Sequence, residues 1–235
     1  VVALMLQANP RLTWRDVRLV LARSARKVDP DHKGWTHWRG LNYNHEYGFG
    51  VVDAEAAVTM ARRWNSVGGS DQQKKCGPYR VELNQPIAQA AIPATGLGMN
   101  QAPEGGIQHA IPVPADCDIR HIEHVDVKVT VTAADGQDTH PNTGDLQMAL
   151  QSPLGTVSTL MLPHACTDLN TATLGAPELL VERCGGLNNF TFGVRRHLEE
   201  PVASGNSRNW ELVTADRVQG GEGQLKDWSI TFYGR

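Results

Sequence analysis

Up to about residue 64, apolar residues recur at the spacing of one face of an α-helix. Thr13 and Asp16 have the spacing of a capping box, which predicts that a helix begins here. The face of this helix that we expect to meet a core consists of Trp14, Val17, Val20, Leu21 and Ser24. A second helix is predicted after Asp53, a residue type that caps helix N-termini, with one face formed by Ala54, Ala57, Val58, Ala61 and Trp64.

Beyond residue 73 the apolar residues alternate with polar ones, which is typical of half-buried β-strands. The alternating apolar positions are Val125, Val127, Val129 and Val131, then Leu146, Met148 and Leu150, and finally Trp228, Ile230 and Phe232. Turn sequences such as SPLG and QGGEG separate these runs, as expected of an antiparallel sandwich. The stretch 88–106, rich in Ala, Gly, Pro and Gln, is predicted to be irregular.

The change of period marks a boundary between two regions. Small and polar residues around Gly68 and Gly69 have the composition of an interdomain linker. We therefore divide the chain into a segment at 1–66, a linker at 67–73 and a β domain at 74–235. The opening apolar run lacks the flanks of a signal peptide, so we expect the second half of a buried helix and a chain that is part of a longer protein.

Composition and charge exclude several classes of function. Hydrophobic residues make up 40% and charged residues 20% of the 235 residues, and the formal net charge is −3. This charge indicates neither a nucleic-acid partner nor an anionic membrane surface. No apolar run approaches the roughly 20 residues of a membrane span. Four cysteines without CxxC spacing argue against a metal ribbon and predict two disulfides in an oxidising compartment.

Several motifs, in one order, resemble the end of the catalytic domain of subtilisin-like proteases of the kexin and furin type, the proprotein convertases. They are Asn9-Pro10, Leu12-Thr13-Trp14-Arg15-Asp16-Val17, His45 with Tyr47-Gly48-Phe49-Gly50, and Asp53-Ala54. Each motif is weak alone, but the set is specific. The resemblance implies that 1–66 is a truncated, mostly helical remnant of the α/β catalytic domain.

The rest of the chain resembles the P domain that follows this catalytic domain. The motifs include Ile122-Glu123-His124, Gly144-Asp145-Leu146, Ser152-Pro153, Trp210, Trp228 and Phe232-Tyr233-Gly234. The resemblance implies an all-β sandwich of jelly-roll type after the remnant, and therefore a mixed fold class. It also places a bonded pair at Cys76 and Cys117. A second pair, Cys166 with Cys184, is inferred from the cysteine count alone.

The resemblance implies that the parent is a secreted serine endopeptidase, located in the periplasm, the secretory pathway or outside the cell. Its Asp-His-Ser triad lies upstream of Val1, so we assign no catalytic or cofactor-binding residue here and predict that the chain alone is inactive. The implied partners are the missing catalytic domain, which the P domain stabilises, and the parent's protein or peptide substrates, cut after basic residues. The alternative is a non-catalytic β-sandwich that binds or stabilises another molecule; a Gly-Thr-Ser motif upstream would favour the protease.

Calcium is the one metal that we expect, with its ligands unassigned. Three carboxylate pairs stand in predicted loops, the setting from which calcium takes its oxygen ligands: Asp29 with Asp31, Asp116 with Asp118, and Asp135 with Asp138. The resemblance adds to this expectation, because related proteases bind calcium. Zinc is disfavoured, because His121 and His124 would point to opposite faces of a strand.

Overall fold

A computed structural model of the chain describes residues 1–94, 96–98, 101–133, 143–164, 184, 186–218 and 223–235. Its helices are α1 (Val2–Ala8), α2 (Trp14–Ser24) and α3 (Ala54–Arg62). A hairpin between α2 and α3 consists of β1 (Thr36–Trp38) and β2 (Leu41–Tyr43). The remaining strands are β3 (Lys74–Pro86), β4 (Ile107–Pro112), β5 (Ile122–Ala133), β6 (Leu146–Gln151), β7 (Val157–Met161), β8 (Leu187–Val194), β9 (Asn209–Asp216) and β10 (Gly223–Gly234).

Both predicted helix starts are confirmed. The Thr13 side chain accepts from the Asp16 backbone N–H while the Asp16 carboxylate accepts from the Thr13 backbone N–H, which completes the capping box of α2. Asp53 caps α3 by accepting from the Ala56 N–H at 2.9 Å. These local hydrogen bonds satisfy N–H groups that have no partner inside the helix.

The description of residues 1–66 as mostly helical is wrong. The three helices have 7, 11 and 9 residues, which is less than half of this segment. The long connection from α2 to α3 instead forms the β1–β2 hairpin and turns around Gly40, Gly48 and Gly50, which have positive φ. Glycine favours this backbone region because it has no Cβ, so these positions suit the turns of the connection.

The three helices share a small core of their own. Its buried members are Met5, Leu12, Val20, Ala57 and Ala61. The rest of α1 is open: Val2, Leu4 and Leu6 are 40%, 52% and 39% exposed. The helix that we predicted to be buried is therefore buried only at Met5 in this structure. Among the described residues, none of the helices is long and apolar enough to cross a bilayer.

Strands β3 to β10 form a β-sandwich. Within the described residues, one antiparallel sheet has the order β3-β10-β5-β8 and the other has the order β4-β9-β6-β7. The predicted alternation is confirmed, because Val125, Val127, Val129 and Val131 are all fully buried on β5. The described residues of 88–106 contain no helix or strand, also as predicted.

The sandwich core lies between the two sheets and contains large aromatic side chains. Trp210 from β9 packs against Phe232 from β10, with ring centroids 4.9 Å apart, and both rings are fully buried. Trp228 is buried on the same face of β10. Aromatic side chains of this size account for much of the apolar surface that the fold removes from water.

Candidate functional site: ion pairs between helix α2 and the β-sandwich

A buried ion pair joins helix α2 to strand β5. Arg15 Nε lies 2.9 Å from Glu123 Oε2 and Arg15 Nη2 lies 2.6 Å from Glu123 Oε1. The two residues are only 1% and 3% exposed. Paired N–H···O bonds between a guanidinium and a carboxylate are strong and restrict orientation. The pair therefore sets the direction in which α2 lies on the sandwich.

The linker completes the hydrogen bonding of Arg15. Its Nη1 donates to the carbonyl oxygens of Val67 and Gly69, each at 2.9 Å. Glu123 accepts further hydrogen bonds from Gln73 Nε2 at 2.9 Å and from Arg235 Nη1 at 3.3 Å. Burial alone would raise the pKa of Glu123, but the hydrogen bond and charge of Arg15 outweigh it and lower this pKa below its ordinary value.

Asp16, the next residue on α2, binds the start of the linker. Its carboxylate accepts from Trp64 Nε1 at 2.9 Å, Ser66 Oγ at 2.6 Å and the Val67 N–H at 2.8 Å. Burial would raise the pKa of Asp16, but these hydrogen bonds and the one from Thr13 lower it overall. Trp64 therefore contributes a hydrogen bond at the junction between the two regions.

Glu199 forms a second charged contact near the C-terminal end of α2. It accepts from Arg23 Nη2 at 2.8 Å and from Arg235 Nη2 at 2.6 Å, and its own exposure is 1%. Arg235 also reaches Glu123, so it connects both contacts. We call Arg15, Arg23, Glu123, Glu199 and Arg235 the ion-pair network.

A buried set of polar residues holds the loop that carries Glu199. His197 Nε2 lies 3.0 Å from Ser158 Oγ on β7, and His197 Nδ1 lies 3.0 Å from Glu200 Oε2. A serine, histidine and acid in this order resemble a hydrolase triad. His197 is fully buried, however, with its ring edge-on to Trp210 at 4.8 Å. The arrangement therefore anchors the loop in the sandwich rather than offering a nucleophile to solvent.

The predicted metal and cysteine positions have different outcomes. Cys76 and Cys117 form a disulfide with a Cα–Cα distance of 5.7 Å. Cys166 lies outside the described residues, so its pairing with Cys184 stays a prediction. Asp135 and Asp138 also lie outside the described residues, so their pairing as calcium ligands stays a prediction.

Among the described residues, no three His, Cys, Asp or Glu side chains cluster as metal ligands. Asp118 pairs with Lys74 at 2.6 Å. His121 contacts Glu199 at 3.3 Å, whereas His124 pairs with Asp126 and stacks on Tyr233. The two histidines thus have separate partners, and the calcium expectation still has no assigned ligands.

No role was predicted for Arg15, Glu123 or Glu199. Arg15 and Glu123 stand inside motifs that carry the family resemblance, which is the signal that could have found them. Hydrophobic patterning could not, because it treats a buried charge as a solvent-facing position.

Residues 122–232 match the family model described as the proprotein convertase P-domain. The chain carries a proprotein convertase P domain. It contains Glu123 at its start and Glu199 within it. The acidic side of both charged contacts therefore belongs to the P domain, whereas Arg15 and Arg23 come from the segment before it.

Curated relatives align with the whole chain. Proprotein convertase subtilisin/kexin type 5 of Homo sapiens is 30% identical over 240 residues, and the match covers 100% of this chain and 11% of that protein. Proprotein convertase subtilisin/kexin type 6 of Rattus norvegicus is 31% identical over 243 residues, covering 100% and 22%. Furin-like protease 1 of Drosophila melanogaster is 28% identical over 237 residues, covering 100% and 15%. The chain thus spans a small part of these relatives.

A solved structure has the same fold over the whole chain. The serine protease of Aeromonas sobria, in complex with its chaperone, superimposes with a TM-score of 0.73 at 21% identity. The match covers 100% of this chain and 42% of that one. At this identity the likeness concerns the fold alone.

Proposed function

We propose that this chain is the C-terminal portion of a secreted subtilisin/kexin-like serine endopeptidase. Residues 1–66 would be the end of its catalytic domain, and the P domain would stabilise that domain by packing against it. The observation that carries this proposal is the buried pair of Arg15 and Glu123, which joins the two parts by two short hydrogen bonds.

The contacts of the P domain support a stabilising role. Removing one member of a buried ion pair leaves the other charge uncompensated, at a cost of about 3–5 kcal/mol. If α2 separated from β5, the Arg15 side chain would lose the carboxylate of Glu123 with which it forms its ion pair. The P domain would therefore act as a clamp on the end of the catalytic domain, with no residue in the chemical step.

Fold and location are also part of the proposal. Among the described strands from β3 to β10, every connection between successive strands crosses to the other sheet, except that from β6 to β7. This order supports a jelly roll. The disulfide of Cys76 and Cys117 supports an oxidising compartment and hence export.

The proposed hydrolysis depends on residues upstream of Val1. There a serine would form an acyl-enzyme, with a histidine as its base. The 235-residue chain alone would have no turnover. Calcium, if bound by the parent, would take loop carboxylates, and none is assigned here.

The first test is to determine the amino-acid sequence of the native protein upstream of Val1. We expect a Gly-Thr-Ser motif, with a histidine and an aspartate further upstream, and labelling of that serine by a fluorophosphonate. Cleavage of peptides with a basic residue before the scissile bond is expected from the parent and not from the chain. A native protein that starts at Val1 would contradict the protease and favour a non-catalytic module.

The stabilising role has its own test in the same parent. Glu123→Gln should shorten the half-life of activity at elevated temperature while leaving the initial rate intact. Asp118→Asn, which changes an exposed pair, is the matched control. An equal effect of both variants would argue against a clamp made by the ion-pair network.

A further inference from the structure

A cavity of about 430 Å³ lies beside the ion-pair network. It is bounded by α2, by the turn that precedes α3, and by the residues that follow β8 in the P domain. Its volume is within the ~300–1,000 Å³ range of small-molecule sites. Arg15 and Glu123 form part of its wall, but each is engaged by the other.

The walls of this cavity are mainly apolar. They include Leu19, Leu21, Tyr47, Phe49, Val52 and Leu198. Leu19 and Leu198 are buried, whereas Val52 is 51% exposed. The cavity therefore leads from a buried apolar floor to an open rim, as in a site that takes an apolar group from solvent.

Two arginines on the wall form no ion pair within the described part of the chain. Arg195, in the loop after β8, accepts a hydrogen bond from the Leu198 N–H at its backbone oxygen, but its guanidinium makes no ion pair or hydrogen bond with a described residue. Arg18 donates to the backbone oxygen of Glu123 at 3.2 Å and lies over the Trp14 ring, but it pairs with no described carboxylate. Desolvation and the positive charge of Arg18 lower the pKa of Arg195 to about 10. The two guanidiniums therefore repel each other.

Glu123 attracts Arg18, but the described carboxylates nearby form their ion pairs with other arginines. Glu123 is held by Arg15 and Arg235, and Glu199 is held by Arg23 and Arg235. An anion between Arg18 and Arg195 would pair with two guanidiniums that form no ion pair with any described carboxylate. A bidentate carboxylate matches the planar donors of guanidinium groups.

We propose that this cavity binds an apolar group that carries a carboxylate. The apolar part would lie against Leu19, Phe49 and Leu198, and the carboxylate would lie between Arg18 and Arg195. This inference goes beyond the proposed function, because it requires no proteolytic activity. Two sources share this chemistry, namely the apolar C-terminal residue of a peptide and a medium-chain fatty acid.

The experiment is isothermal titration of the full chain with two carboxylates and their neutral counterparts. The probes are N-acetyl-leucyl-leucine against its C-terminal amide, and decanoate against decanol. We expect at least one carboxylate to bind at least tenfold more tightly than its neutral form. The carboxylate that binds more tightly of the two identifies the ligand as a peptide C-terminus or a fatty acid. Absence of binding by both, or equal binding of acid and neutral forms, would overturn the proposal.

Variants locate the binding. Arg195→Gln and Arg18→Gln should each weaken the carboxylate about tenfold, while Arg62→Gln, on the exposed surface of α3, should leave it unchanged. Ala25→Phe, which fills the cavity from the end of α2, should remove binding of acid and neutral forms alike. Unchanged binding in Ala25→Phe or in Arg195→Gln, with an unchanged melting temperature, would place the ligand elsewhere and refute the site.

Discussion

Arg15 and Glu123 are 108 positions apart in the chain, yet their side chains form two hydrogen bonds of 2.9 and 2.6 Å in a buried position. The pair joins a helix that precedes the P domain to the first strand of the matched family region. Glu123 also accepts hydrogen bonds from Gln73 and Arg235. Arg15 also donates to the carbonyl oxygens of Val67 and Gly69, so neither charge is left without partners. These hydrogen bonds therefore hold helix α2 in a fixed position on the β-sandwich.

We expect the buried pair to be strongly coupled in denaturant unfolding of the chain. Glu123→Gln should lower the free energy of unfolding by about 3–5 kcal/mol, because it leaves the buried Arg15 charge unpaired. Arg15→Met should cost less, because Arg235 still pairs with Glu123 at 3.3 Å. The double variant should lose clearly less than the sum. Arg15→Lys should rescue little, since an ammonium cannot form the bidentate contact.

The exposed pair of Lys74 and Asp118 is the control for this cycle. Its side chains are 47% and 66% exposed, so Asp118→Asn should leave stability unchanged within error. Additive losses for Arg15 and Glu123 would contradict the coupling.

Acid should weaken the ion-pair network and the hydrogen bonds of Asp16. The pKa values of Asp16 and Glu123 are lowered from 3.8 and 4.5, so the unfolded chain binds protons before the folded chain does. Their stabilising contribution is therefore complete above the unfolded pKa and is lost as pH falls through the folded pKa. The stability difference between wild type and Glu123→Gln should be largest near pH 7 and shrink below about pH 4.5. Urea titrations from pH 3 to 7 measure it, and a difference independent of pH would be inconsistent with an ionised Glu123.

The set of Ser158, His197 and Glu200 should be structural. Ser158→Ala should cost about 1 kcal/mol, and Glu200→Ala more, because it leaves His197 without its acceptor. Ser207→Ala, at an exposed turn, is the matched control. Mass spectrometry after fluorophosphonate treatment should find Ser158 unmodified, and a labelled Ser158 would show that the site is open and reactive.

Removal of the disulfide should destabilise the chain. The sequence separation of 41 between Cys76 and Cys117 corresponds to about 4 kcal/mol of loop entropy in the unfolded state. Cys76→Ala with Cys117→Ala should therefore lower the urea midpoint markedly. A midpoint equal to that of wild type would indicate that the bond does not constrain the unfolded chain.

The open face of α1 should cause self-association. Leu4→Gln with Leu6→Gln should reduce light scattering of concentrated chain, because both side chains are solvent-exposed. Met5→Gln is the contrast, since Met5 is fully buried and its replacement should lower stability instead. Equal light scattering by wild type and the double variant would show that the exposed face of α1 does not cause the self-association.

The structural features that depend on residues close together in the chain could be predicted from the sequence. The capping box of Thr13 and Asp16 requires residues three apart, and the buried valines of β5 follow from a period of two. Both patterns involve residues that are close together in the chain, so they can be recognised without knowledge of the fold. The same patterns overstated the helix content of residues 1–66, because periodicity does not reveal where a polar loop turns into a hairpin.

The tertiary structure decided which charges are buried and with what partners. Sequence pattern alone would place Arg15, Glu123 and Glu199 at the surface, since ionised groups are seldom buried without a counter-ion. Their counter-ions are distant in sequence, so only the folded chain brings them together. The same holds for Arg18 and Arg195, which come together without an ion pair to any described carboxylate only because α2 lies against the P domain.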